Sequence, residues 1–309
     1  MAFIDRIDPE LRPLLENIPQ VDIESLDLAV IAQFARAKPP VFPLVPHPNI
    51  EILDDELAIG ARIRTFKPKA QSADIPAFVY YHGGGFFTGN LETNDSLCQT
   101  LALAQGCAVV AVDYRKAPEE PYPAGFSDCY DTLLWAAANP LFDKSRIAVG
   151  GISAGAGMAA GVCLKARDEG GPAIAGQVLA IPCIDHRFKT ASSQMDVDTR
   201  VWNTALAKKA WAAYLKDFSG DVPTYASPSI ATDFDDLPPA FVSAEGEDIL
   251  RDEAVEYAHN LMRAGVPTDL RVYAGAFHGS FAYSPNAKVS QQHFGDLNVA
   301  LARFLTQSV

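Results

Sequence analysis

A serine lies at the centre of the turn Gly151-Ile-Ser153-Ala-Gly155, between a short apolar run and an alanine-rich segment. The run Arg146–Gly150 predicts a buried strand and the residues after Ser153 predict a helix, so the serine occupies the apex of a strand, turn and helix. Small residues two positions before and after it allow a strained backbone and close neighbouring chains. This nucleophile elbow presents the Ser153 hydroxyl at the positive end of a helix, where it can attack a carbonyl carbon.

A run of three glycines follows another apolar stretch, in the sequence His82-Gly-Gly-Gly-Phe-Phe87. Consecutive glycines let backbone amides turn toward a bound oxygen, and we assign Gly83 and Gly84, with Ala154 of the elbow, as donors of an oxyanion hole. A phosphate cradle would need a GxxxxGK[ST] sequence, which this chain lacks. In hydrolases with a nucleophile elbow, the histidine that serves as general base comes after the serine in the chain, whereas His82 comes before it. We therefore interpret His82 as a hydrogen-bonded brace for the loop.

A general base is expected on the loop after the last strand, where His278 follows the apolar run Leu270–Tyr273. The acid that orients this base should lie between the serine and the histidine, after the run Ala240–Ala244. We choose Asp248 for this role. Spacing alone leaves three other carboxylates of the same segment open, namely Glu245, Glu247 and Asp252.

Strands that alternate with helices must position these groups. Buried strands are predicted at six apolar runs: Ala77–Tyr81, Ala108–Tyr114, Arg146–Gly150, Gln177–Pro182, Ala240–Ala244 and Leu270–Tyr273. Helices between and after them are predicted from three apolar stripes: Phe126 to Leu134, Ala254 to Met262 and Phe294 to Leu305. Because parallel neighbours need a crossover connection that a helix supplies, the chain predicts a mainly parallel, doubly wound α/β sheet with helices on both faces.

The N-terminal part and one internal segment differ from this alternation. Ile50–Leu57 and Ala61–Phe66 predict an antiparallel hairpin at one edge of the sheet. An exposed edge strand could pair in a homodimer. Residues 1 to about 45 and about 186 to 225 fit the alternation poorly, and we interpret both as a helical cap. With neither a repeat nor a linker, residues 1–309 are expected to form a single domain.

Composition excludes several classes of partner. The 25 basic and 38 acidic residues give a net charge of −13 without a dense basic patch, so no nucleic acid is expected as a partner.

The N-terminus is charged and lacks an apolar run, which predicts a cytoplasmic protein without a membrane anchor. The uncharged run Ile147–Leu164 is glycine-rich and predicts a strand, turn and helix instead of a membrane span. Five scattered cysteines indicate buried, reduced thiols, and no histidine pair is spaced for a metal.

Together these motifs resemble the bacterial hormone-sensitive-lipase-like esterases, also called family IV esterases, of the α/β-hydrolase superfamily. The resemblance rests on these segments: His82-Gly-Gly-Gly85, Asp113-Tyr-Arg-Lys-Ala-Pro-Glu119, Tyr122-Pro-Ala124, Gly151-Ile-Ser-Ala-Gly155, Asp248-Ile-Leu-Arg-Asp-Glu253 and His278-Gly-Ser-Phe281. It implies an α/β-hydrolase fold with a two-part helical cap, and a triad of Ser153, Asp248 and His278. Four positions depart from the family's pattern: Lys116, Ile152, Ala156 and Ser280.

The resemblance predicts a carboxylesterase that hydrolyses short- to medium-chain acyl esters through an acyl-enzyme, without a cofactor or metal. Its partner would be a small-molecule ester. Four aromatic side chains could wall an apolar substrate pocket or else belong to the core: Phe86, Phe87, Trp202 and Trp211. Hydrolysis of amides or lactones stays an alternative.

Two other classes of protein fit the sequence less well. The plant gibberellin receptors resemble this family but bind a ligand without hydrolysing it, having lost the catalytic histidine. His278 is present here, which favours an enzyme over a binding module. The stretch Gly155-Ala-Gly-Met-Ala-Ala160 matches a dinucleotide loop, but its first glycine falls inside the predicted helix instead of at the strand end.

Overall fold

Eight strands form one sheet in the computed structural model, which describes residues 2–18, 20, 25, 27–218 and 220–306. In chain order they are β1 (Ile50–Glu56), β2 (Arg62–Pro68), β3 (Ile75–Tyr81), β4 (Ala108–Val112), β5 (Phe142–Ile152), β6 (Gly176–Ala180), β7 (Ala240–Glu245) and β8 (Thr268–Tyr273). In space the order is β1-β2-β4-β3-β5-β6-β7-β8. Strands β3 to β8 are mutually parallel, whereas β2 is antiparallel to both of its neighbours.

Helices cover both faces of this sheet. The described helices are α1 (Phe3–Arg6), α2 (Arg12–Asn17), α3 (Leu28–Arg36), α4 (Asp95–Gln105), α5 (Ala124–Ala138), α6 (Ala154–Asp168), α7 (Thr204–Tyr214), α8 (Arg251–Arg263), α9 (Ser280–Tyr283) and α10 (Lys288–Thr306). Helices α4 and α10 pack on one face and α5, α6 and α8 on the other. The predicted doubly wound α/β sheet is therefore confirmed, with its antiparallel edge at the N-terminal side.

The alternation of side chains along the central strands separates two apolar cores. Val79 and Val149 lie in the core under α5, α6 and α8, while their neighbours Phe78 and Ala148 lie in the core under α4 and α10. At the ends of two of the predicted stripes, Leu134 is 40% exposed and Met262 is 43% exposed. The faces that α5 and α8 turn toward the sheet are therefore narrower than their apolar stripes.

The edges of the sheet largely follow the predicted pattern. Strands β1 and β2 form the expected antiparallel hairpin, and β1 and β8 are the two outer strands. Strand β4 ends at Val112, two residues before its predicted end. Beyond Val112 the Asp113 amide still donates to Arg62 O of β2 at 2.9 Å, and the Tyr114 hydroxyl donates to His82 O at 2.9 Å. Homodimerisation through an outer strand stays a prediction.

The two segments assigned to a cap contain helices α1 to α3 and helix α7. Part of that assignment, residues 1, 19, 21–24, 26 and 219, lies outside the described residues. Helices α3 and α7 contact each other, and Arg36 at the end of α3 donates to Phe87 O and Ala117 O at 2.8 Å each. The first segment is thus tied to the glycine-rich loop, while its role as a cap of a single domain stays a prediction.

The uncharged run Ile147–Leu164 divides into the end of β5 and most of α6, as predicted. Within the described ranges, no helix combines the length and the apolar character needed to cross a bilayer. All five cysteines are buried, in agreement with their apolar sequence surroundings.

Candidate active site

The predicted site residues follow the carboxyl ends of four parallel strands. Ser153 follows β5, His278 follows β8, Asp248 follows β7 and the glycine run that begins at Gly83 follows β3. Parallel strands end at the same edge of a sheet, and that edge forms the crevice in which open α/β sheets bind their ligands. The parallel direction of these strands therefore brings residues that are distant in sequence to one edge of the sheet.

Ser153 occupies the sharp turn that the elbow motif predicts. Its backbone has φ 56° and ψ −119°, a conformation that costs a residue with a Cβ on the order of 1–3 kcal/mol. Three backbone hydrogen bonds hold it: Ser153 N donates to Ala180 O at 2.9 Å, and Ser153 O accepts from Gly157 N at 3.0 Å and from Cys183 N at 3.1 Å. A Cβ at Gly155 would overlap Tyr81 O, so only glycine lets α6 approach β3 this closely.

A chain of hydrogen bonds links Ser153 to a buried carboxylate. Ser153 Oγ lies 2.9 Å from His278 Nε2, and His278 Nδ1 lies 2.6 Å from Asp248 Oδ2. The other Asp248 oxygen accepts from Leu250 N at 3.0 Å, and the residue is 1% exposed. Since a carboxylate accepts the proton of Nδ1, Nε2 is left with a lone pair that can take the proton of the serine hydroxyl.

The carboxylates that spacing left open all have other partners. Glu247 binds Arg6 at 2.6 Å, Asp252 accepts from Ser192 N at 2.7 Å and Glu245 accepts from Gly279 N at 2.7 Å. Of the four acids, Asp248 is the one whose oxygen meets the imidazole.

The glycine loop borders the serine. A Cβ at Gly83 would lie 3.7 Å from Ser153 Cβ, which places this residue directly beside the hydroxyl group. Gly84 has φ +127°, and a side chain there would overlap Thr88 O, so the loop can keep this shape only with glycine. Ala154 is the first residue of α6, so its amide has no acceptor within the helix. Gly83 and Ala154 thus flank the Ser153 hydroxyl from the loop and from the helix.

His82 supports this loop from behind. Its Nδ1 lies 2.7 Å from Gly83 O, and its ring stacks on Tyr114 with 4.1 Å between centroids. Burial, helped by the nearby charge of Lys116, lowers the pKa of His82 to about 4. A neutral imidazole donates from Nδ1 to the Gly83 carbonyl, which is the contact expected of a brace.

The four aromatic residues assigned to a pocket occupy different surroundings. The Trp202 ring lies beside the site, because a Cβ at Gly85 would come within 2.7 Å of its Cη2 and its centroid is 5.8 Å from that of His278. Phe86 and Trp211 are buried, with 4.9 Å between their ring centroids. Phe87 is buried against α3 and α7. For these last three, a place in the pocket wall stays a prediction.

The departures from the family's pattern have local partners. Ile152 packs against the core under α4 and α10, next to a small apolar cavity. Lys116 binds Asp113 at 2.6 Å, and the Ser280 hydroxyl donates to Glu245 at 3.1 Å. Ala156 is buried in α6. None of these residues displaces a member of the hydrogen-bonded chain from Ser153 to Asp248.

Glu245, which the sequence offered only as a competing acid, has contacts that spacing did not predict. Its carboxylate is fully buried and accepts from the residues that follow His278. Burial, and then the charge of Asp248, raises the pKa of Glu245 well above its ordinary value. The available signal was an acidic residue that directly continues a mostly apolar strand run. Across the described part of the chain, no three His, Cys, Asp or Glu side chains are grouped so as to hold a metal ion.

Comparison with known proteins agrees with this geometry. A family model of the alpha/beta hydrolase fold matches residues 78–282. Esterase LipI of Mycobacterium tuberculosis is 34% identical over 90% of this chain and 89% of its own length. Carboxylesterase NlhH of the same organism is 34% identical over 97% of this chain and 96% of its own length. The solved structure of a bacterial heroin esterase superposes with a TM-score of 0.88 at 37% identity, covering 98% of this chain and 99% of that one.

NlhH and the solved esterase each match nearly the whole chain, the first by sequence and the second by sequence and fold. The resemblance to the hormone-sensitive-lipase-like esterases is thereby confirmed. The chain belongs to the α/β-hydrolase family, and it is an enzyme of the carboxylic ester hydrolase class.

Proposed function

We propose that this enzyme hydrolyses short- to medium-chain acyl esters through an acyl-enzyme on Ser153, with His278 as general base and Asp248 as the group that orients it. The observation that carries the proposal is the chain of two contacts, 2.9 Å from Ser153 Oγ to His278 Nε2 and 2.6 Å from His278 Nδ1 to Asp248 Oδ2. The strained elbow, which keeps the hydroxyl at the end of α6, supports the same role.

In the first half of the reaction, Ser153 Oγ attacks the ester carbonyl carbon while His278 Nε2 takes the hydroxyl proton. The carbonyl oxygen becomes an oxyanion. When the tetrahedral intermediate collapses, the bond from carbon to the alcohol oxygen breaks and Nε2 gives its proton to the departing alkoxide. Asp248 stabilises the imidazolium that exists between these two proton transfers without taking the proton itself.

In the second half, water replaces the serine as nucleophile. Nε2 takes a proton from the water as it adds to the acyl carbon, and it returns that proton to Ser153 Oγ when the acid leaves. The same imidazole thus serves both halves, so its position relative to Ser153 must be kept throughout.

The amides of Gly83, Gly84 and Ala154 are the donors that we assign to the oxyanion. Gly83 and Ala154 border Ser153. The positive φ of Gly84 sets the shape of the loop from Gly83 to Thr88. The positive end of α6 adds to the potential at the same point, since aligned peptide dipoles favour negative charge at a helix N-terminus. Each donor of this kind typically contributes about 10²–10³ in turnover.

The substrate preference follows from the crowding around the serine. Ser153 is 6% exposed, and the Trp202 ring lies between His278 and the glycine loop. We assign Trp202 as a wall of the acyl or alcohol site, with helices α1 to α3 and α7 forming the cap of one hydrolase domain. Such a site suits a small ester better than a long insoluble chain. The cytoplasmic location stays a prediction.

The test is a chain-length series of p-nitrophenyl esters, from acetate to palmitate, with wild type and Ser153→Ala. We expect the wild-type kcat/KM to peak at short or medium chains, and Ser153→Ala to lose about 10⁵-fold or more. Ser127→Ala, a partly buried serine of α5, is the matched control and should keep wild-type turnover. A folded Ser153→Ala variant with a tenth or more of the wild-type activity would refute the mechanism, and a peak at palmitate would refute the substrate range.

A further inference from the structure

The residues directly after His278 are held by one buried carboxylate. Glu245, the last residue of β7, accepts from Gly279 N at 2.7 Å with one oxygen. Its other oxygen accepts from Ser280 Oγ at 3.1 Å and from Phe281 N at 3.3 Å. The residue has no exposed surface. Three successive residues of the loop that carries the imidazole are therefore bound to a single side chain of the sheet.

A second contact from β7 supports the same loop. Ser243 Oγ lies 2.8 Å from His293 Nε2, and the His293 ring packs against the Phe281 ring with 3.9 Å between centroids. Burial lowers the pKa of His293 to about 3, so the ring is neutral and shares one hydrogen bond with the Ser243 hydroxyl. Phe281 is thus fixed through its ring by the Ser243 and His293 pair and through its amide by Glu245.

The two carboxylates at the end of β7 bind the same histidine loop, one at the His278 side chain and the other at the main chain that follows it. Asp248 meets the imidazole of His278 at Nδ1, and Glu245 meets the main chain that follows it. Both come from one strand end, so a movement of the histidine loop relative to β7 would have to break both sets of contacts. A site is held most accurately when the residues that support it sit on rigid elements and are themselves hydrogen-bonded.

We propose that Glu245 is a positioning residue for His278, which keeps Nε2 in line with Ser153 through the two proton transfers. This inference rests on the proposed function, in which His278 is the general base. Glu245 does not touch the reacting atoms, so its effect should appear in kcat and leave KM nearly unchanged. A displacement of about 1 Å at a reacting group can cost about 10²-fold in rate.

Glu245→Gln is the informative variant because it keeps the volume but supplies one acceptor oxygen in place of two. Either the Gly279 amide or the Phe281 amide must then face the new NH2 group without a partner. We expect kcat to fall by about 10- to 100-fold with KM within about twofold. Ser280→Ala removes the hydroxyl contact alone and should lower kcat by about two- to fivefold.

Asp128→Asn is the matched control. Asp128 is also a fully buried carboxylate that accepts a main-chain amide, from Arg115 at 2.7 Å, but it lies on α5 away from the histidine loop. It should lose stability without a selective loss of kcat. The far-downfield proton NMR signal of His278 Nδ1, which reports its bond to Asp248, should move in Glu245→Gln and stay in place in Asp128→Asn.

Three outcomes are distinguishable. A lowered kcat, an unchanged KM and a displaced proton signal in Glu245→Gln support the inference. A folded Glu245→Gln with wild-type kcat and signal overturns it, and if this variant does not fold, wild-type kcat and signal in Ser280→Ala overturn it instead. Ser153→Ala, assayed in parallel, tests the proposed function separately, because activity in that variant would remove the mechanism and not only the role of Glu245.

Discussion

Replacing Asp248 by asparagine tests the tautomer on which the mechanism depends. In the wild type, Asp248 Oδ1 accepts from Leu250 N at 3.0 Å while Oδ2 faces His278 Nδ1 at 2.6 Å. An asparagine has one acceptor for these two donors. If its oxygen stays with the Leu250 amide, its NH2 group faces Nδ1, so the imidazole must carry its proton on Nε2 and cannot accept one from Ser153.

The opposite amide orientation restores the productive tautomer but leaves the Leu250 N–H facing an NH2 group in a buried place. An unpaired buried donor costs about 1–3 kcal/mol, so the productive form would be about 5- to 150-fold less populated. The variant also loses the negative charge that stabilises the imidazolium at 2.6 Å. Together these effects predict a fall in kcat of about 10³–10⁴, which is the size found when other triads lose this charge.

The assay is kcat/KM for p-nitrophenyl butyrate together with the rate of labelling by a fluorophosphonate. Asp252→Asn is the matched control, because this neighbouring acid binds Ser192 N and Arg251 and should leave turnover within about threefold. A folded Asp248→Asn that keeps a tenth of the wild-type kcat would show that Asp248 does not set the tautomer of His278. Equal losses of kcat/KM in Asp248→Asn and Asp252→Asn would also show that Asp248 has no special role toward His278.

Three further predictions concern the surroundings of the triad. Trp202→Ala should open the space beside Gly85 and move the chain-length optimum toward longer acyl groups, as a kcat/KM series would show; an unmoved optimum would remove Trp202 from the wall of the acyl site. Gly84→Ala should lower kcat by about 10²-fold or more, since a Cβ there overlaps Thr88 O; wild-type kcat would contradict the loop geometry. His82, with a folded pKa of about 4 against about 6.5 unfolded, must stay neutral, so its contribution to stability is lost as pH falls from 6.5 toward 4. Urea unfolding at pH 7 and at pH 5 measures this effect. Between these two pH values, the free energy of unfolding should fall by about 2 kcal/mol more in wild type than in His82→Asn. Equal falls in the two proteins would contradict a buried neutral ring.

Local sequence patterns were sufficient for the sheet and for the elbow. Short apolar runs marked β3 to β8, and a serine among small residues marked the turn, because a buried strand and a tight turn each restrict the residue types at neighbouring positions. Spacing could not choose Asp248 from its neighbours. All four acids lie within eight residues of one another, and what separates them is the partner that each meets across the fold, such as Arg6 for Glu247.

The support of the histidine loop could not be predicted for the same physical reason. Glu245 and Gly279 are 34 residues apart, and the N-terminal Asp8 amide, which donates to Gly275 O at 2.9 Å, is farther still. No periodicity encodes such contacts. The exposure of Leu134 and Met262 could not be predicted either, since a helical stripe indicates which side of a helix is apolar and not how much of that side the sheet covers.

The central claim, that Ser153 becomes acylated, is tested most directly by peptide mapping of the enzyme after reaction with a fluorophosphonate. We predict one covalent adduct per chain, located on Ser153, and no adduct in Ser153→Ala. We also expect Asp248→Asn to acquire the same adduct far more slowly. An adduct on another residue, or a wild-type enzyme that hydrolyses esters without labelling at Ser153, would show that Ser153 is not the nucleophile.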